Sequence, residues 1–213
     1  MNYFVTGIGT EVGKTVASAI LVQAFQLDYW KPVQCGDLDY SDSMKIKQWV
    51  QKEIQIHPEA YRLDLPMSPH AAADAESVEI KLDQFQLPNS QNGMIVEGAG
   101  GLMVPLNGKD LMIDLIGHLQ IPAILVSRHY LGSINHTLLS VEMLKQANIP
   151  LHGLIFMGDE HPTTEAIITK HVGADKIMGR IDELEAIDSE NIKKAAEKLE
   201  QSWPSLQPNS IKI

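Results

Sequence analysis

The chain has 213 residues, of which 44% are hydrophobic and 21% charged, a balance typical of one α/β domain with its own core. Its net charge of −10, from 17 basic and 27 acidic side chains, argues against a nucleic-acid partner, which would need a basic face. Cys35 is the one cysteine, which excludes an intrachain disulfide. The sequence has no apolar run near the ~18 residues of a membrane span and no signal-peptide pattern, so we expect a cytoplasmic protein without a membrane partner.

Short apolar runs alternate with helical patterns along the chain. Strands are predicted at 2–6, 29–33, 94–96, 123–127, 151–156 and 177–181. Helices are predicted at 16–26, 42–54, 69–76, 80–87, 110–119, 133–147, 163–171 and 189–201. This alternation predicts the α/β class, with a parallel β-sheet flanked by helices in a single domain over residues 1–213 and a loop-like tail from Pro204. Ligands bind such sheets at the carboxyl ends of the strands, so the residues after each strand are the candidates for a site.

A glycine-rich loop follows the first predicted strand, with the sequence Gly7-Ile8-Gly9-Thr10-Glu11-Val12-Gly13-Lys14-Thr15. Backbone N–H groups of such a loop at a helix N-terminus bind anions, Lys14 can reach the β- and γ-phosphates, and the Thr15 hydroxyl can ligate Mg²⁺. The regular spacing G-x-x-x-x-G-K-[ST] requires glycine where Ile8 stands, so this chain departs from it by one position. The alternative is a glycine turn followed by a surface lysine. Strand, loop and helix in this order favour a phosphate-binding loop.

Two polar residues come after the second predicted strand. Lys31 stands beside Pro32 at the strand end, where it could be an ordinary side chain that reaches solvent or a second cation on a phosphate. Asp42 follows Ser41 at the start of a predicted helix, where the helix dipole favours a carboxylate whether or not that carboxylate has a catalytic role. The residues alone leave both alternatives open.

Glu97 ends the next core strand and is followed by Gly98-Ala99-Gly100-Gly101. A buried carboxylate is costly without a partner, and the glycines allow a close approach of the backbone to a ligand. Near a phosphate-binding loop the expected partner is Mg²⁺. Oxygen ligands from Thr15, Asp42 and Glu97 would suit an octahedral ion completed by water and phosphate oxygens.

A further candidate lies at Leu131 to His136, where the predicted helix 133–147 begins. The free N–H groups of Gly132 and Ser133 could hold a carboxylate, and the simpler alternative is capping of the helix by the Ser133 side chain. His136 is assigned no chemistry, because a histidine on a helix is more often structural.

Together these motifs resemble those of dethiobiotin synthetases. The matching segments occur in the family's order between residues 3 and 181: Thr6-Gly7, Glu11-Val12-Gly13-Lys14-Thr15, Lys31-Pro32-Val33, Ser41-Asp42, Ser68-Pro69-His70, Val96-Glu97-Gly98-Ala99-Gly100-Gly101, Leu131-Gly132 and Ile134-Asn135-His136. The departure at Ile8 is the family's own spacing. The resemblance implies a P-loop NTPase-like fold and an ATP- and Mg²⁺-dependent reaction of biotin biosynthesis. In that reaction 7,8-diaminopelargonic acid and CO₂ give dethiobiotin, ADP and phosphate, by way of a carbamate and a carbamic–phosphoric anhydride.

The resemblance also implies roles for individual residues. Lys14 and Lys31 would be catalytic, flanking the transferred phosphoryl group and the carbamate, and Thr15, Asp42 and Glu97 would hold Mg²⁺. ATP would be bound by Glu11, Val12, Gly13, Lys14, Thr15, Val16, Asp42, Glu97, Gly98, Ala99, Gly100, Met157, Gly158, Asp182, Glu183 and Leu184. The substrate would contact Thr10, Cys35, Gly132, Ser133, Ile134 and Asn135. The last four would come from the other subunit of a homodimer, which places the active site at the subunit interface.

Three positions depart from the family's pattern. Cys35 stands where Ser or Thr usually contacts the substrate, and a thiol is a weak hydrogen-bond donor. Met157 stands where an asparagine commonly contacts the adenine edge, and Asp182 replaces a proline in the second base-contacting segment. Because a thioether has no donor, we expect ATP to be used with weak preference over other nucleoside triphosphates.

Two other functions would use the same motifs. A small-molecule kinase would need the same loop and the same metal ligands. A partitioning-type ATPase switch is a partner-binding module, and such proteins carry a signature lysine five residues before the loop lysine. Gly9 occupies that position here, which argues against the switch.

Overall fold

A computed structural model describes residues 1–203 of the chain. Its strands, in chain order, are β1 (Asn2–Gly7), β2 (Asp28–Trp30), β3 (Val33–Cys35), β4 (Ile56–His57), β5 (Tyr61–Leu63), β6 (Met94–Gly101), β7 (Ala123–Arg128), β8 (Leu151–Met157) and β9 (Ile177–Ile181). Its helices are α1 (Lys14–Phe25), α2 (Asp42–Trp49), α3 (Pro69–Ala75), α4 (Met112–Leu119), α5 (Ser133–Gln146), α6 (Pro162–Val172) and α7 (Ser189–Ser202). The predicted loop-like tail from Pro204 lies outside the described residues.

Seven of these strands form one parallel sheet in the order β4-β2-β6-β1-β7-β8-β9. Strands β3 and β5 pair in parallel as a separate, two-stranded sheet. The predicted class, a parallel sheet flanked by helices, is therefore confirmed. Because all seven strands run the same way, their carboxyl ends meet at one edge of the sheet. The loop after β1, the residues after β2 and the glycines that end β6 all lie at that edge.

Both faces of the sheet are buried, because successive side chains of a strand point to opposite faces. Tyr3 and Val5 of β1 lie in a core with helices α1, α2 and α7, and Phe4 between them lies in a second core with α3 and α4. Helices α5 and α6 extend the second face over β7 and β8, where Ile168 of α6 packs against Phe156. This double covering explains why the strands are nearly continuous apolar runs.

The predicted strand 29–33 is in fact two strands. Proline lacks an N–H group and cannot donate to a sheet ladder, so β2 ends at Trp30 and the chain leaves the main sheet at Lys31-Pro32. It resumes at Val33 as β3, whose partner β5 is missing from the prediction, as is β4. This break holds Lys31 at the edge of the main sheet instead of within a ladder.

Two predicted helices also differ from the structure. The helix predicted at 42–54 ends at Trp49, and the chain then runs extended toward β4. The helix predicted at 80–87 is wrong, because the segment forms only a 3₁₀ turn at Leu82–Gln84. Burial of Ile80 and Phe85 in the second core outweighs local helix propensity there, and Pro88 disfavours a helical conformation at the residue before it.

The remaining predicted helices match α1 and α3–α7 to within about two residues at each end, the usual scatter of helix boundaries. Across residues 1–203, no helix is both long and apolar enough to cross a lipid bilayer.

Candidate active site

The loop between β1 and α1 is wound tightly around its glycines. A Cβ atom on Gly7 would lie 2.5 Å from Val12 Cγ2, and Gly13 has a φ of 91°, in the left-handed region that favours glycine. Gly13 is the N-cap of α1 and has no side chain to cap it, so the first N–H groups of the helix are available to an anion. The loop has the local structure that a phosphate-binding function requires.

Lys14 is folded back over this loop. Its Nζ donates a hydrogen bond to the carbonyl oxygen of Gly9 at 2.9 Å, and only 8% of the residue is exposed. Burial, as the largest cause, and the charge of Lys31 together lower the pKa of Lys14 to about 8, while Glu97 and Asp42 act in the opposite direction. The loop therefore holds a lysine whose pKa lies well below the ordinary value of a lysine.

Lys31 is held between two carboxylates. Its Nζ lies 2.7 Å from Asp42 Oδ2, 3.0 Å from Glu97 Oε1 and 3.3 Å from the carbonyl oxygen of Gly98. Burial alone would lower the pKa of Lys31, but Glu97 and Asp42 hold it above its ordinary value. A lysine whose charged form is this strongly favoured acts as a fixed positive charge, not as a base.

The structure confirms that Asp42 begins a helix. It also places Asp42 in a charged cluster with Lys31 and Glu97. It is the first residue of α2, and the N-cap Ser41 accepts a hydrogen bond from the backbone N–H of Met44 at 3.4 Å. Burial would raise the pKa of Asp42, but Lys31 and, at 3.1 Å, Lys45 lower it to about 2. Asp42 is therefore ionised at neutral pH.

Glu97 is the most buried member of the cluster, with 1% of its surface exposed. Thr15 Oγ1 donates to its Oε1 at 2.9 Å, and the hydroxyl of Tyr29 donates to its Oε2 at 2.9 Å. Burial, with the charge of Glu97, holds the pKa of Tyr29 well above its ordinary value, so this hydroxyl keeps its proton. With Lys31, these donors give both oxygens of the buried carboxylate a hydrogen-bond partner.

The donor set fits Mg²⁺ chemically. Within residues 1–203 no group of three or more His, Cys, Asp or Glu residues could hold a metal ion. Thr15, Asp42 and Glu97 instead offer one hydroxyl and two carboxylates, hard oxygen donors that leave positions for water and phosphate oxygens. That incomplete protein set is typical of Mg²⁺ bound together with a phosphate-bearing ligand.

A cavity of about 900 Å³ opens above these residues. The predicted site residues that line it are Thr10, Glu11, Gly13, Lys14, Thr15, Val16, Lys31, Cys35, Asp42, Glu97, Ala99 and Gly100. Burial raises the pKa of the half-buried Cys35 thiol to about 11, so it is present as a thiol. Val12 is buried beneath the loop, and Gly98 contributes its carbonyl oxygen to Lys31. The structure brings the two lysines, the three predicted metal ligands and most of the predicted nucleotide-binding residues together.

The predicted base-contacting residues lie at the ends of β8 and β9, and none of them lines the cavity. Met157 is 4% exposed, and its side chain lies under the loop, where a Cβ on Gly13 would be 2.7 Å from Met157 Cε. Gly158 donates its N–H to the carbonyl oxygen of Ile181 at 2.9 Å. Asp182 is paired with Lys198, and Leu184 packs against the first core.

Arg128 is a cavity residue that sequence reasoning missed. It ends β7, lines the cavity and is paired with Glu183 at 2.5 Å directly over Gly158. The one available signal was its position at the carboxyl end of a buried strand. Trp49 and Ile187 also line the cavity without having been predicted.

The residues from Gly132 to Asn135 lie apart from this cavity. Gly132 is the N-cap of α5 with a φ of 104°, and Ser133 is buried and donates its N–H to the carbonyl oxygen of Tyr130 at 2.9 Å. Capping by the Ser133 side chain is wrong, because Ser133 is already the first helical residue and Gly132 occupies the cap. The adjacent Leu131 is fully exposed.

The chain is similar to a group of known proteins along most of its length. Residues 1–191 match the family model described as an AAA domain. A protein of Christiangramia forsetii named ATP-dependent dethiobiotin synthetase BioD is 53% identical over 198 residues, covering 92% of this chain and 95% of its own. Proteins of the same name from Cytophaga hutchinsonii and Paramagnetospirillum magneticum are 48% and 41% identical, covering 95% and 89% of this chain and 98% and 91% of their own.

Solved structures support the P-loop NTPase-like fold. A putative plasmid partition protein of Borrelia burgdorferi, bound to AMPPNP, superimposes with a TM-score of 0.56 at 10% identity over 96% of both chains. The MinC:MinD cell division complex of Aquifex aeolicus gives 0.56 at 12% identity, over 94% of this chain and 96% of the other. At such identities the likeness concerns the fold alone. The sequence relatives named above are 41% to 53% identical to this chain over most of its length. They show that the chain belongs to the dethiobiotin synthetase family.

Proposed function

We propose that the protein is an ATP- and Mg²⁺-dependent dethiobiotin synthetase, which closes a cyclic urea from 7,8-diaminopelargonic acid and CO₂. The observation that carries this proposal is the position of Lys31. It is a buried, permanently charged lysine between Asp42 and Glu97, beside a phosphate-binding loop, in a chain 53% identical to a protein of that name. Such a fixed charge suits a reaction in which negative charge moves between phosphate and carbamate oxygens.

The reaction proceeds in three steps. One amine of 7,8-diaminopelargonic acid loses a proton and adds to CO₂, giving a carbamate. A carbamate oxygen attacks the γ-phosphorus of ATP, the bond from that phosphorus to the bridging oxygen breaks, and ADP leaves with the electron pair. The second amine then attacks the carbonyl carbon of the mixed anhydride, losing a proton, and phosphate departs as the ring closes to dethiobiotin.

The protein contributes positioning and charge, which are the main requirements of phosphoryl transfer. The loop at 11–16 binds the phosphates through its N–H groups, and Lys14 leaves the Gly9 carbonyl to contact the β- and γ-phosphates. Lys31 lies on the carbamate side and stabilises the charge that develops on the transferred group. Thr15, Asp42 and Glu97 would hold Mg²⁺, which when bound neutralises charge on the phosphate oxygens.

The substrate carboxylate is bound by a second subunit. Gly132 to Asn135 lie outside the cavity of their own subunit, at an exposed helix entry beside Leu131. With Ser133 N–H used internally, the N–H groups of Ile134 and Asn135 remain to face an anion. A homodimer that brings this entry to the partner's cavity would complete the substrate site, with Thr10 and Cys35 contacting the substrate from the cavity side.

Phosphate release separates this proposal from its alternatives. The purified protein is assayed with ATP and Mg²⁺, with and without 7,8-diaminopelargonic acid and bicarbonate. Release that requires both supports the synthetase. A phosphorylated organic product would indicate a small-molecule kinase, and release that ignores both compounds but responds to a protein or DNA would indicate a partitioning-type switch.

A further inference from the structure

Tyr29 is a completely buried tyrosine whose hydroxyl reaches the base of the candidate metal site. It lies on β2, in register with Ile95 of β6, so Glu97 follows two residues along β6 on the same face. The ring is packed in the core with Ile95, and the hydroxyl extends along the sheet to donate to Glu97 Oε2 at 2.9 Å. The aromatic ring is in effect a rigid spacer between the core and the carboxylate.

The two oxygens of Glu97 have different partners. Oε1 faces the cavity side and accepts from Thr15 and Lys31, whereas Oε2 accepts from Tyr29. The last torsion of a glutamate is broad and roughly two-fold, so rotamer preference alone does not fix the direction of a carboxylate. The Tyr29 hydrogen bond holds one oxygen and thereby sets the direction of the other.

We propose that Tyr29 is a positioning residue, which orients the Glu97 carboxylate so that Oε1 is presented to the metal ion together with Thr15. The inference rests on the proposed Mg²⁺ site. It matters chemically because Mg²⁺ demands near-ideal octahedral geometry and tolerates a misdirected ligand poorly. Partners that orient a metal ligand typically contribute 10–100-fold to metal affinity.

The test measures metal binding directly, without the synthetase reaction. Mn²⁺, used as a paramagnetic probe, is titrated by electron paramagnetic resonance into the protein–ADP complex of the wild type and of Tyr29→Phe. We expect the dissociation constant of Mn²⁺ to rise about tenfold or more in the variant. The affinity for ADP in EDTA should stay within about twofold, because the loop contacts of ADP are unchanged.

Tyr3→Phe is the matched control. Tyr3 is also a buried tyrosine on a strand of the same sheet, but its hydroxyl donates to Met1 Sδ, at the other end of the sheet. Loss of that hydroxyl should leave Mn²⁺ affinity unchanged. On a Glu97→Gln background, Tyr29→Phe should have almost no further effect on Mn²⁺ affinity, because the ligand that it orients is already lost.

A measurement on the unmodified protein removes any dependence on the folding of the variant. With ¹³Cζ-labelled tyrosine, the Tyr29 resonance should shift when Mg²⁺ is added to the ADP complex, and the Tyr3 resonance should not. Equal Mn²⁺ affinity in wild type and Tyr29→Phe, or an unmoved Tyr29 resonance, would overturn the positioning role. A wild type that binds Mn²⁺ no better with ADP than without it would overturn the metal site itself, and with it the proposed function.

Discussion

Lys31 and Asp42 form a close charged contact in the candidate active site, with Nζ 2.7 Å from Oδ2. The contact joins the end of β2, which Lys31 follows, to the start of α2, whose first residue is Asp42. Both groups are largely buried, and each shifts the pKa of the other toward its charged form. The pair therefore brings a permanent cation to the place where phosphate and carbamate would meet.

Substitution of that cation should lower both the catalytic rate and the stability of the protein. We expect Lys31→Gln to lower kcat by about 100-fold or more, because a preorganised charge is lost from the developing transition state. The free energy of unfolding should also fall by about 3 kcal/mol, since Asp42 and Glu97 lose their common partner. Steady-state kinetics well below the melting temperature separate the two effects. Lys47→Gln, at an exposed position of α2, is the control, and near-full kcat in Lys31→Gln would remove Lys31 from the mechanism.

Lys14 should make nucleotide binding depend on pH. With a pKa of about 8 in the ligand-free protein, the cation that we propose to bind phosphate is lost as pH rises through about 8. We expect the dissociation constant of ADP in EDTA to rise between pH 7.5 and 9.5, by up to about tenfold per pH unit, with proton uptake on binding. Calorimetry in buffers of different ionisation enthalpy measures both. Lys14→Met should abolish the pH dependence, and a wild-type affinity that stays flat over this range would contradict the prediction.

Lys14 should affect the stability of the ligand-free protein in the opposite direction, so that stability increases with pH. Its pKa is about 8 in the folded protein and 10.5 for an unperturbed lysine, so the unfolded chain binds more protons between these pH values. The Lys14 contribution to the free energy of unfolding should therefore increase as pH rises from 8 to 10.5. Urea denaturation of wild type and Lys14→Met across this range isolates that contribution.

Two inactive variants should complement each other if the active site is shared between subunits. Lys31→Gln removes a charge from the cavity, and Ile134→Pro removes an N–H from the first turn of α5, where proline is tolerated. In a random mixture half of the dimers carry one subunit of each kind, and each such dimer has one intact site, so about a quarter of wild-type activity should return. Two variants that stay inactive after mixing, or a fully active monomer in sedimentation, would contradict the shared site.

Base selectivity should be weak. The Met157 side chain has no donor and lies beneath Gly13, so it offers the base no polar contact. Apolar contact distinguishes ligands by only about 1–3 kcal/mol. We therefore expect kcat/KM for ATP to exceed those for GTP, CTP and UTP by less than about 10³-fold. A larger preference for ATP would mean that polar groups read the base, and the Arg128–Glu183 pair over Gly158 would be the first to test by substitution.

The order of strands and helices and most of the site could be predicted from local patterns. The loop, Lys31, Asp42 and Glu97 each stand immediately after a strand or at a helix start, and parallel topology alone brings such positions together. The break at Pro32 was missed, because the predicted strand runs through 29–33, although proline cannot continue a central ladder. Local patterns could not have excluded the helix wrongly predicted at 80–87, since the burial of Phe85 depends on a core formed by distant segments.

The directions of individual side chains were the other feature that the sequence could not predict. Tyr29 and Met157 lie in strands that are apolar on both faces, and such strands lack the alternation that would reveal which residues face which layer. Tyr29 therefore resembled a plain core residue, and its hydrogen bond to Glu97 depends on the pairing of β2 with β6. Met157 was assigned from family position to the base, whereas the register of β8 turns its side chain under the loop.

The most direct measurement of the proposed function is the fate of bicarbonate carbon. The protein is incubated with ATP, Mg²⁺, 7,8-diaminopelargonic acid and ¹³C-bicarbonate, and the products are quantified by mass spectrometry together with the phosphate released. We predict that dethiobiotin forms with the ¹³C label in its ring carbonyl, one molecule for each phosphate. ATP hydrolysis without labelled dethiobiotin, or a phosphorylated diamine in its place, would contradict the account.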